Sequence, residues 1–270
     1  MQSDCRREES GRKNFARATI GAMNPLLPVG SAIAACAGVV AYAAVYPRAQ
    51  IFGPTVCRTN SPRKLAITFD DGPNPAMTPR LLDLLERYQA RATFFVIGRY
   101  ARECPELVKE TAQRGHLVAN HTLTHPNLFW LTAGAIREEL RHTQDAIAAA
   151  TGATTKWVRP PYGFRNPWVV KTAALLGMRT VMWTIIPGDW KPQPPESLID
   201  KMQPIVMQAN KNFSTANASG DILCLHDGGH RALNADRAHT FKALEHWLPR
   251  WRDAGLEFVT IEEAVSTPAT

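Results

Sequence analysis

The feature that most constrains this chain is an alternation of short apolar segments with longer amphipathic ones, which begins near Lys64. Such an alternation is typical of repeated βα units around a parallel sheet. Seven strands are predicted, at Leu65–Phe69, Ala92–Ile97, His116–Asn120, Trp157–Arg159, Arg179–Trp183, Ile222–Leu225 and Phe258–Thr260. Six helices are predicted, at Thr78–Tyr88, Pro105–Arg114, Thr132–Thr151, Pro167–Leu176, Glu196–Gln208 and Ala235–Ala254.

Seven strands joined by right-handed helical crossovers can close as an incomplete barrel or remain an open, doubly wound sheet. Polar side chains follow the first, third, fourth, fifth and sixth predicted strands. In a (β/α) barrel such residues meet on one rim, at the C-terminal ends of the strands. The polar pattern therefore favours an α/β fold with a TIM-barrel-like architecture.

A segment of roughly twenty residues without a charge lies upstream of this alternation. That length is about what a helix needs to cross a bilayer. We therefore predict an N-terminal hydrophobic helix at residues 23–46, either a transmembrane anchor or the apolar part of a signal peptide. The length favours the anchor, whereas Ala41-Tyr42-Ala43 has the small-x-small form expected before a cleavage site. A buried soluble helix is the remaining alternative.

The rest of the chain divides around this segment. Residues 1–22 are polar and of mixed charge, which predicts a disordered tail on the cytosolic side. Residues 47–63 are rich in proline, glycine and serine, which predicts a linker. Residues 64–270 are predicted to form one catalytic domain, because a chain of this length can bury one large core. Whether the helix is an anchor or a cleaved signal, we expect this domain outside the cytoplasmic membrane.

The formal charge of +7 and the pI near 9.3 suit contact with anionic surfaces. No run of Lys and Arg is interleaved with aromatic residues, so we expect no nucleic-acid partner. The five cysteines are scattered and include no C-x-x-C pair, which indicates neither a zinc knuckle nor a disulfide framework. No protein partner is implied, and the expected membrane contact is through the N-terminal segment.

Asp70 and Asp71 end the first predicted strand, immediately before Gly72-Pro73. Successive side chains of a strand point to opposite faces, so one carboxylate could bind a metal while the other moves a proton. The structural alternative is a plain turn, because Asp, Gly and Pro are common where a chain leaves a strand. The polar residues after later strands favour the functional interpretation.

Two histidines four residues apart follow the third predicted strand, in His121-Thr122-Leu123-Thr124-His125. In a helical turn this spacing puts both imidazoles on one side. Two imidazoles and one carboxylate form a three-ligand site with an open position, as in catalytic zinc sites, and Asp71 is the predicted carboxylate. The alternative is a pair of surface or hydrogen-bonded histidines.

The segment Arg159-Pro160-Pro161-Tyr162-Gly163 follows the fourth predicted strand, and its prolines predict a rigid loop. Such a loop can aim a peptide N–H at developing negative charge. Arg159 could pair with Asp70 and keep its carboxylate ionised. A plain loop with a surface ion pair is the alternative.

His226 follows the sixth predicted strand, in His226-Asp227-Gly228. A histidine at this place could protonate a leaving group near neutral pH. Asp189 is the candidate partner that would raise the proton affinity of His226 and fix its orientation. Helix capping by Asp189 is the structural alternative.

In order and spacing, these segments resemble the motifs of the polysaccharide deacetylases of carbohydrate esterase family 4, which have the nodulation-protein-B homology domain. The matching segments are TFDDG at 68–72, HTLTH at 121–125, RPPYG at 159–163, DW at 189–190 and LHD at 225–227. The resemblance covers nearly the whole domain from Lys64 to about Val265. It implies a distorted (β/α)7 barrel that removes acetyl groups from sugars with the help of a metal.

The resemblance also implies roles for the matching residues. Asp70 resembles the catalytic base of the family, and Arg159 resembles the residue that positions it. Asp71, His121 and His125 resemble the ligands of a divalent metal, usually Zn²⁺.

Tyr162 resembles the donor of an oxyanion-binding peptide N–H. His226 resembles the general acid, with Asp189 behind it. An apolar lining that receives the acetyl methyl is implied for Trp190, Leu223 and Leu225. The implied substrate-contacting residues are Pro161, Tyr162, Trp190, Leu223 and Leu225.

The chain departs from the family pattern at Ile186, a position where the fourth motif often has an acid. It also has a proline-rich insertion, Lys191–Pro195. Because Asp189 and Trp190 are present, we expect the chemistry to be retained and the substrate preference to differ.

These features predict a metal-dependent hydrolase that removes acetyl groups from N-acetylated, rather than O-acetylated, sugars of a polysaccharide such as peptidoglycan. Chitin oligomers, xylan and exopolysaccharides remain open as substrates. A catalytically silent glycan-binding protein of the same fold is the alternative, although it would need no complete set of ligands, base and acid. A metal phosphoesterase is disfavoured, because one His-His-Asp site lacks the ligands for a second metal.

Overall fold

A computed structural model of the protein describes residues 26–206 and 219–266, with side chains from residue 32 onward. The helices are α1 (Leu26–Val45), α2 (Thr78–Arg87), α3 (Gly98–Glu103), α4 (Pro105–Gln113), α5 (Ala133–Thr151), α6 (Pro167–Leu175), α7 (Pro195–Met202), α8 (Ala238–Asp253) and α9 (Ile261–Val265). The strands are β1 (Thr55–Val56), β2 (Lys64–Gly72), β3 (Ala92–Val96), β4 (Leu117–Asn120), β5 (Trp157–Val158), β6 (Arg179–Val181), β7 (Ile222–His226) and β8 (Glu257–Phe258). Contacts divide the chain after Val39, and these strands all lie in the unit that begins at Val40.

The strands form a parallel sheet in the order β1-β6-β5-β4-β3-β2-β7, with β8 beside β2. After β6 the chain continues alongside β7: the Thr184 N–H donates to the Ile222 carbonyl at 3.0 Å, and the Cys224 N–H donates to the Ile185 carbonyl at 2.9 Å. These bonds join β7 to the chain that continues from β6, the strand next to the far edge strand β1, so the sheet curves round into a distorted barrel. The predicted TIM-barrel-like (β/α)7 fold is confirmed.

The side chains of the strands alternate between two layers of core. Leu65, Ile67 and Phe69 pack in one cluster with buried leucines of α2 and α8. Ala66 lies in a second cluster, formed largely by residues on the inner side of the strands. A fully buried large apolar side chain contributes about 1.5–3 kcal/mol, so the helix-covered layer supplies most of the stability of the barrel. The inner layer also contains the polar groups at the strand ends.

All seven predicted strands are present, and an eighth, β1, lies within the predicted linker at 47–63. β1 pairs with β6, with Thr55 opposite Thr180 and Val56 opposite Val181. The sequence did not predict this strand because it contains only two residues and lies among prolines and a glycine. The expectation that residues 47–63 form only a linker is therefore corrected.

The predicted helices are present, with one difference in length. The helix predicted at Glu196–Gln208 is interrupted at Gln203: α7 ends at Met202, residues 204–206 are helical again, and residues 207 and 208 lie outside the described residues. Pro204 explains the interruption, because proline has no N–H to continue the helical hydrogen bonds and its ring clashes with the preceding turn. The short helices α3 and α9 were not predicted.

The predicted N-terminal hydrophobic helix corresponds to α1, while residues 1–25 lie outside the described residues. Within the part of the chain whose side chains are described, no helix is long and apolar enough to cross a membrane. The transmembrane anchor therefore stays a prediction.

Arg165 connects the C-terminal end of α1 and the segment after it to the barrel. Its buried guanidinium donates to the carbonyls of Tyr46 at 2.5 Å, Ala43 at 3.3 Å and Ala49 at 3.4 Å. Its own N–H donates to the Ala44 carbonyl at 3.1 Å. Burial lowers the pKa of Arg165, so these carbonyls must compensate for the lost hydration. The folded unit therefore extends upstream of Lys64.

Replacing Arg165 with Ala should lower the free energy of unfolding by about 2–4 kcal/mol, because several buried carbonyls would lose a charged donor. Urea denaturation of the full chain measures this. The control is Arg141→Ala on α5, whose guanidinium pairs with Glu138 at the surface, and which should leave the urea midpoint unchanged. Equal midpoints for the two variants would show that the Arg165 contacts do not stabilise the fold.

Candidate active site

The polar residues at the strand ends meet on one rim of the barrel. The β2–β7 register puts Asp70 beside His226. The β4–β5 register puts Asn120 beside Val158, so His121 and Arg159, the next residues, are also neighbours. The rim encloses a pocket of about 220 Å³, lined by Asp70, Asp71, His121, His125, Tyr162, Gly163, Trp183, Ile186, Trp190, Cys224, His226 and His230.

The three predicted metal ligands are close together and buried. Asp71 Oδ1 lies 3.1 Å from His125 Nε2 and 3.6 Å from His121 Nε2. Two ligands of one tetrahedral zinc ion, each about 2.0–2.1 Å from the metal, are separated by roughly 3.3 Å. Asp71 Oδ1 makes no hydrogen bond within the described structure. The sequence predicted which residues come together, and the structure places both imidazoles within 3.6 Å of one carboxylate oxygen.

Left-handed backbone conformations produce this arrangement. Asp71, Thr122, His125 and Tyr162 all have positive φ angles, between 58° and 70°. The expectation that a helical turn brings the two imidazoles together is wrong: residues 121–125 form a loop with two left-handed residues. Each such conformation costs a non-glycine residue about 1 kcal/mol or more, and such costs are typical of functional sites.

Side chains that the sequence analysis did not single out hold this loop in place. Glu139 of α5 accepts hydrogen bonds from the N–H groups of Leu123 and Thr124, both at 2.9 Å. Asn120 Oδ1 accepts from the Thr122 N–H at 2.9 Å. Because these bonds satisfy the backbone of the loop, they offset the cost of its left-handed residues. A glutamate in the middle of a predicted helix gives no sequence signal for this role.

Asp70 is paired with Arg159 inside the barrel. Arg159 is fully buried, and its Nη1 lies 2.7 Å from Asp70 Oδ1. The same nitrogen donates to Thr68 Oγ1 at 2.7 Å, and the guanidinium lies 4.1 Å from the Phe95 ring centroid. Asp70 Oδ2 lies 3.9 Å from His121 Nε2. Arg159 therefore holds one oxygen of Asp70, and the other oxygen lies beside the metal ligands.

Two glycines allow the ends of β2 and β7 to lie against each other. A Cβ on Gly72 would lie 2.3 Å from Asp227 Oδ2. A Cβ on Gly228 would lie 2.1 Å from the carbonyl oxygen of Asp71. The glycines of the two strand-end motifs are therefore required by close packing.

Comparison with known proteins identifies the family of the chain. A family model described as "Polysaccharide deacetylase" matches residues 58–181. The chain is 39% identical to a peptidoglycan-N-acetylglucosamine deacetylase of Bacillus cereus, over 76% of this chain and 89% of that protein. The chain belongs to the polysaccharide deacetylase family. This deacetylase is also 34% identical to a chitooligosaccharide deacetylase of Rhizobium leguminosarum bv. trifolii, over 74% of this chain and 91% of that protein.

A solved structure supports the same assignment. A family 4 carbohydrate esterase pseudoenzyme from Bacillus anthracis matches this deacetylase with a TM-score of 0.67 and 26% identity, over 79% of this chain and 69% of that chain. A mutant of that protein is described as having restored enzymatic activity. The fold is therefore shared with proteins that differ in activity.

His226 and Asp189 form a second, largely buried pair, at the end of the strand next to that of Asp70. His226 Nδ1 lies 2.8 Å from Asp189 Oδ1, and the His226 N–H donates to Asp189 Oδ2 at 2.8 Å. Thr240 of α8 donates to the same oxygen at 2.9 Å. Burial lowers the pKa of His226, but the carboxylates of Asp189, Asp71 and Asp70 together raise it more, to about 9, with Asp189 contributing most of the rise. His226 is therefore protonated at neutral pH, and Asp189 does not cap a helix.

The apolar wall of the pocket is formed by Trp183, Ile186 and Trp190, together with Cys224. Leu223 and Leu225 do not line the pocket, because they are buried in the helix-covered core. Side chains alternate along β7, so Cys224 and His226 share the pocket face and the two leucines have the opposite face. This corrects the expected position of the leucines. Pro161 is buried in its loop, and the pocket is lined by its neighbours Tyr162 and Gly163.

His230 is a pocket residue that the sequence analysis missed. Its Nδ1 lies 3.9 Å from Asp71 Oδ2, and its ring stacks on His125 with centroids 4.5 Å apart. It follows two glycines after β7, in an irregular turn whose position cannot be predicted from the alternation of side chains in a strand. The only signal was its spacing of four residues from His226.

Among the described residues, two sets have donor atoms that all lie within 4.8 Å of one another: Asp71, His125 and His230, and Asp70, Cys224 and His226. The second set is unsuited to a metal. Burial raises the pKa of the Cys224 thiol well above its usual value, and the raised pKa of His226 keeps that ring protonated. Asp70 is already paired with Arg159. The donors around Asp71 are therefore the better candidate metal site.

The chemistry of the donors at Asp71 also fits a divalent cation. His121 Nδ1 lies 2.8 Å from the Arg159 carbonyl, so Nδ1 donates and Nε2 keeps its lone pair towards Asp71. Burial lowers the pKa of His121 to about 4, which keeps the ring neutral. Burial raises the pKa of Asp71, but His125, His230 and His226 together lower it more, to well below its usual value. A neutral imidazole and an ionised carboxylate are the forms that bind metal.

Replacing Asp189 with Asn should move the alkaline limit of activity to lower pH. A general acid with a pKa near 9 works below pH 9 and is lost as the pH rises through that value. The amide of the variant lacks the negative charge that raises the pKa of His226, whereas burial still lowers this pKa. The alkaline limit of activity should therefore fall by about two pH units or more. The pH dependence of kcat/KM for acetate release from an acetylated oligosaccharide measures this.

The control is Asp83→Asn on α2, which removes an exposed carboxylate paired with Arg114. This variant should keep the wild-type pH profile. An unchanged alkaline limit in Asp189→Asn would mean that His226 is not the group whose protonation limits the reaction.

Proposed function

We propose that the protein is a metal-dependent hydrolase that removes acetyl groups from N-acetylated sugars of a polysaccharide. The observation that supports this most directly is the buried Asp71, His121 and His125 set beside the Asp70–Arg159 pair. Metal donors and a separate, oriented carboxylate within one pocket are the parts that hydrolysis of an amide requires.

Asp71, His121 and His125 would hold the metal, which we propose to be Zn²⁺. When bound, such an ion polarises an acyl carbonyl and lowers the pKa of water. The remaining roles belong to side chains and backbone groups of the chain itself.

Asp70 accepts the proton of the attacking water. Its Oδ1 is occupied by Arg159 at 2.7 Å, which leaves Oδ2, on the side of His121, to take the proton. The Cys224 thiol donates to Oδ2 at 3.4 Å, a long and weak bond that water can displace. Arg159 holds Asp70 in place through this charge-assisted bond, which keeps the base oriented.

The Tyr162 peptide N–H stabilises the negative charge that develops on the acetyl oxygen. Tyr162 lies on the pocket rim in a left-handed conformation with φ 58°, and its ring contacts His125 edge-on at 4.6 Å. One well-placed donor of this kind is worth about 3–4 kcal/mol in comparable sites. The rigid proline loop before it supplies the preorganisation.

His226 protonates the departing amine. Asp189 keeps the ring protonated and oriented, and the opposite ring nitrogen, Nε2, is free to donate. The products are acetate and a free amino sugar. The acid and the base are thus held on neighbouring strands, β7 and β2, beside each other at the rim of the pocket.

The substrate class follows from the relatives and from the pocket. The relatives with 39% and 34% identity are named for peptidoglycan N-acetylglucosamine and for chitooligosaccharides. We therefore propose a polymer of N-acetylglucosamine, with peptidoglycan as the first choice. Trp183, Ile186 and Trp190 would contact the acetyl methyl, and Tyr162 and Trp190, both about half exposed, would contact the sugar.

A substrate in the cell wall requires the domain to lie outside the cytoplasmic membrane. We propose that the N-terminal segment, which has no charged residue throughout α1, directs this export, as an anchor or as a cleaved signal. Cell fractionation with an antibody against residues 64–270 would test this. Recovery in the cytosol alone would contradict it.

A second candidate is a silent glycan-binding protein, which the match to a pseudoenzyme supports. Acetate release by the full chain distinguishes the two, measured with peptidoglycan, chitin oligomers and acetylated xylan, with and without a chelator. The hydrolase should release acetate from an N-acetylated polymer and lose this activity with the chelator. Binding of glycan without acetate release under Zn²⁺ supplementation would support the silent protein.

Replacing Asp70 with Asn should lower kcat/KM by about 10²–10⁴-fold while zinc remains bound, because only the base is lost. His121→Ala and His125→Ala should lose both metal and activity. Zinc content by atomic emission and acetate release measure the two properties. The control is His142→Ala, at the surface of α5, which should change neither. Full activity of Asp70→Asn with zinc bound would show that Asp70 is not the base.

A further inference from the structure

His230 belongs to the chain that follows β7 and lies at the mouth of the pocket, with its side chain 30% exposed. It has no role among the predicted base, acid and metal-binding residues. Its position is nevertheless close to two of them: its donor nitrogen, the Asp71 carboxylate and a His125 ring nitrogen all lie within 4.8 Å of one another.

The two ring nitrogens of His230 face different partners. Nε2 lies 3.4 Å from the Tyr162 hydroxyl, and Nδ1 lies 3.9 Å from Asp71 Oδ2. A metal-binding histidine typically donates its second N–H to a neighbouring acceptor, which fixes the tautomer and leaves the other nitrogen for the metal. If Nε2 donates to Tyr162, the Nδ1 lone pair faces Asp71. In His121 the roles of the two nitrogens are exchanged. Its Nδ1 donates to the Arg159 carbonyl, which leaves Nε2 for the metal.

The backbone of His230 is anchored. Its carbonyl accepts hydrogen bonds from the Arg99 guanidinium and from the Tyr100 hydroxyl, the latter at 3.3 Å. Arg237 Nε donates to the Gly228 carbonyl at 2.9 Å in the same turn. The ring also stacks on His125 with an interplanar angle of 12°. The imidazole is therefore held over the metal site by contacts on both its ring and its backbone.

The histidines lie around both oxygens of Asp71. His121 and His125 are close to Oδ1, and His230 is close to Oδ2. We propose that His230 is a fourth protein ligand of the metal that Asp71 and His125 hold, binding through Nδ1. This inference rests on the metal site of the proposed function and adds a residue to it.

A fourth ligand changes how the metal is held. Catalytic zinc sites commonly have three protein ligands and one open position, whereas sites with four protein ligands hold the ion more firmly. His230 should therefore raise the affinity for the metal and slow its loss to a chelator. Because it is the most exposed of the four residues, it is also the ligand most easily displaced when substrate enters.

The test compares His230→Ala and His230→Gln with the wild-type full chain, using Zn²⁺ and Co²⁺ alone as probes. Competition with a fluorescent chelator should show at least a tenfold loss of Zn²⁺ affinity in both variants, since even the loss of a residue that only supports a ligand costs about 10–100-fold. The visible absorption of the Co²⁺ protein should change in shape and intensity, because one nitrogen donor is lost. Tyr162→Phe, which removes only the partner of Nε2, should lower the affinity by a smaller factor.

The controls separate this proposal from the proposed function. His142→Ala should match the wild type in both measurements, whereas His125→Ala should lose affinity by more than His230→Ala. Wild-type Zn²⁺ affinity and an unchanged Co²⁺ spectrum in both His230 variants would overturn the proposal, provided that His125→Ala still weakens binding. If His125→Ala also leaves the affinity unchanged, the metal site of the proposed function is itself wrong. Circular dichroism of the metal-free proteins confirms that each variant is folded.

Discussion

The site depends on one buried positive charge, the guanidinium of Arg159. It holds Asp70 through a bond of 2.7 Å and lies over the Phe95 ring, while the carbonyl of the same residue accepts from His121 Nδ1. One residue of the segment after β5 therefore orients the proposed base on β2 and a proposed metal ligand after β4. Breaking a buried ion pair by removing one partner costs about 3–5 kcal/mol, because the other charge stays buried without compensation. Arg159 thus determines both the charge balance of the rim and its geometry.

Near the Asp70–Arg159 pair, the pKa values of several ionisable groups differ strongly from their usual values. The pKa of Asp71 is lowered well below its usual value, and that of His226 is raised to about 9. Asp227 differs again: burial raises its pKa to about 7, and the Thr78 hydroxyl is its main side-chain partner. Carboxylates at the ends of β2 and β7 therefore differ in pKa, and such differences are how a site separates an acid from a base. The role of Asp227 is to connect β7 with α2, since its carbonyl also accepts from Asn74 at 2.8 Å.

The sequence predicted the barrel because the βα alternation is regular, and it predicted the residues that meet on the rim because they follow the ends of parallel strands. It did not predict how His121 and His125 meet, because left-handed residues such as Thr122 and His125 have no reliable sequence pattern. The misplaced leucines have a different origin. Once His226 is assigned to the pocket, the two-residue period of a strand requires Cys224, and not Leu225, on the same face. His230 could not be placed from a strand pattern, because it lies in an irregular turn.

The bonds from Arg165 to residues 43–49 also fix where the upstream chain joins the barrel. Arg165 is three residues from Tyr162 on the pocket rim, and three residues span at most about 10 Å. The contacts with residues 43–49 therefore lie close along the chain to the loop that carries Tyr162. A domain shortened to begin at Lys64 would lose these bonds, and with them support for the loop at the mouth of the pocket.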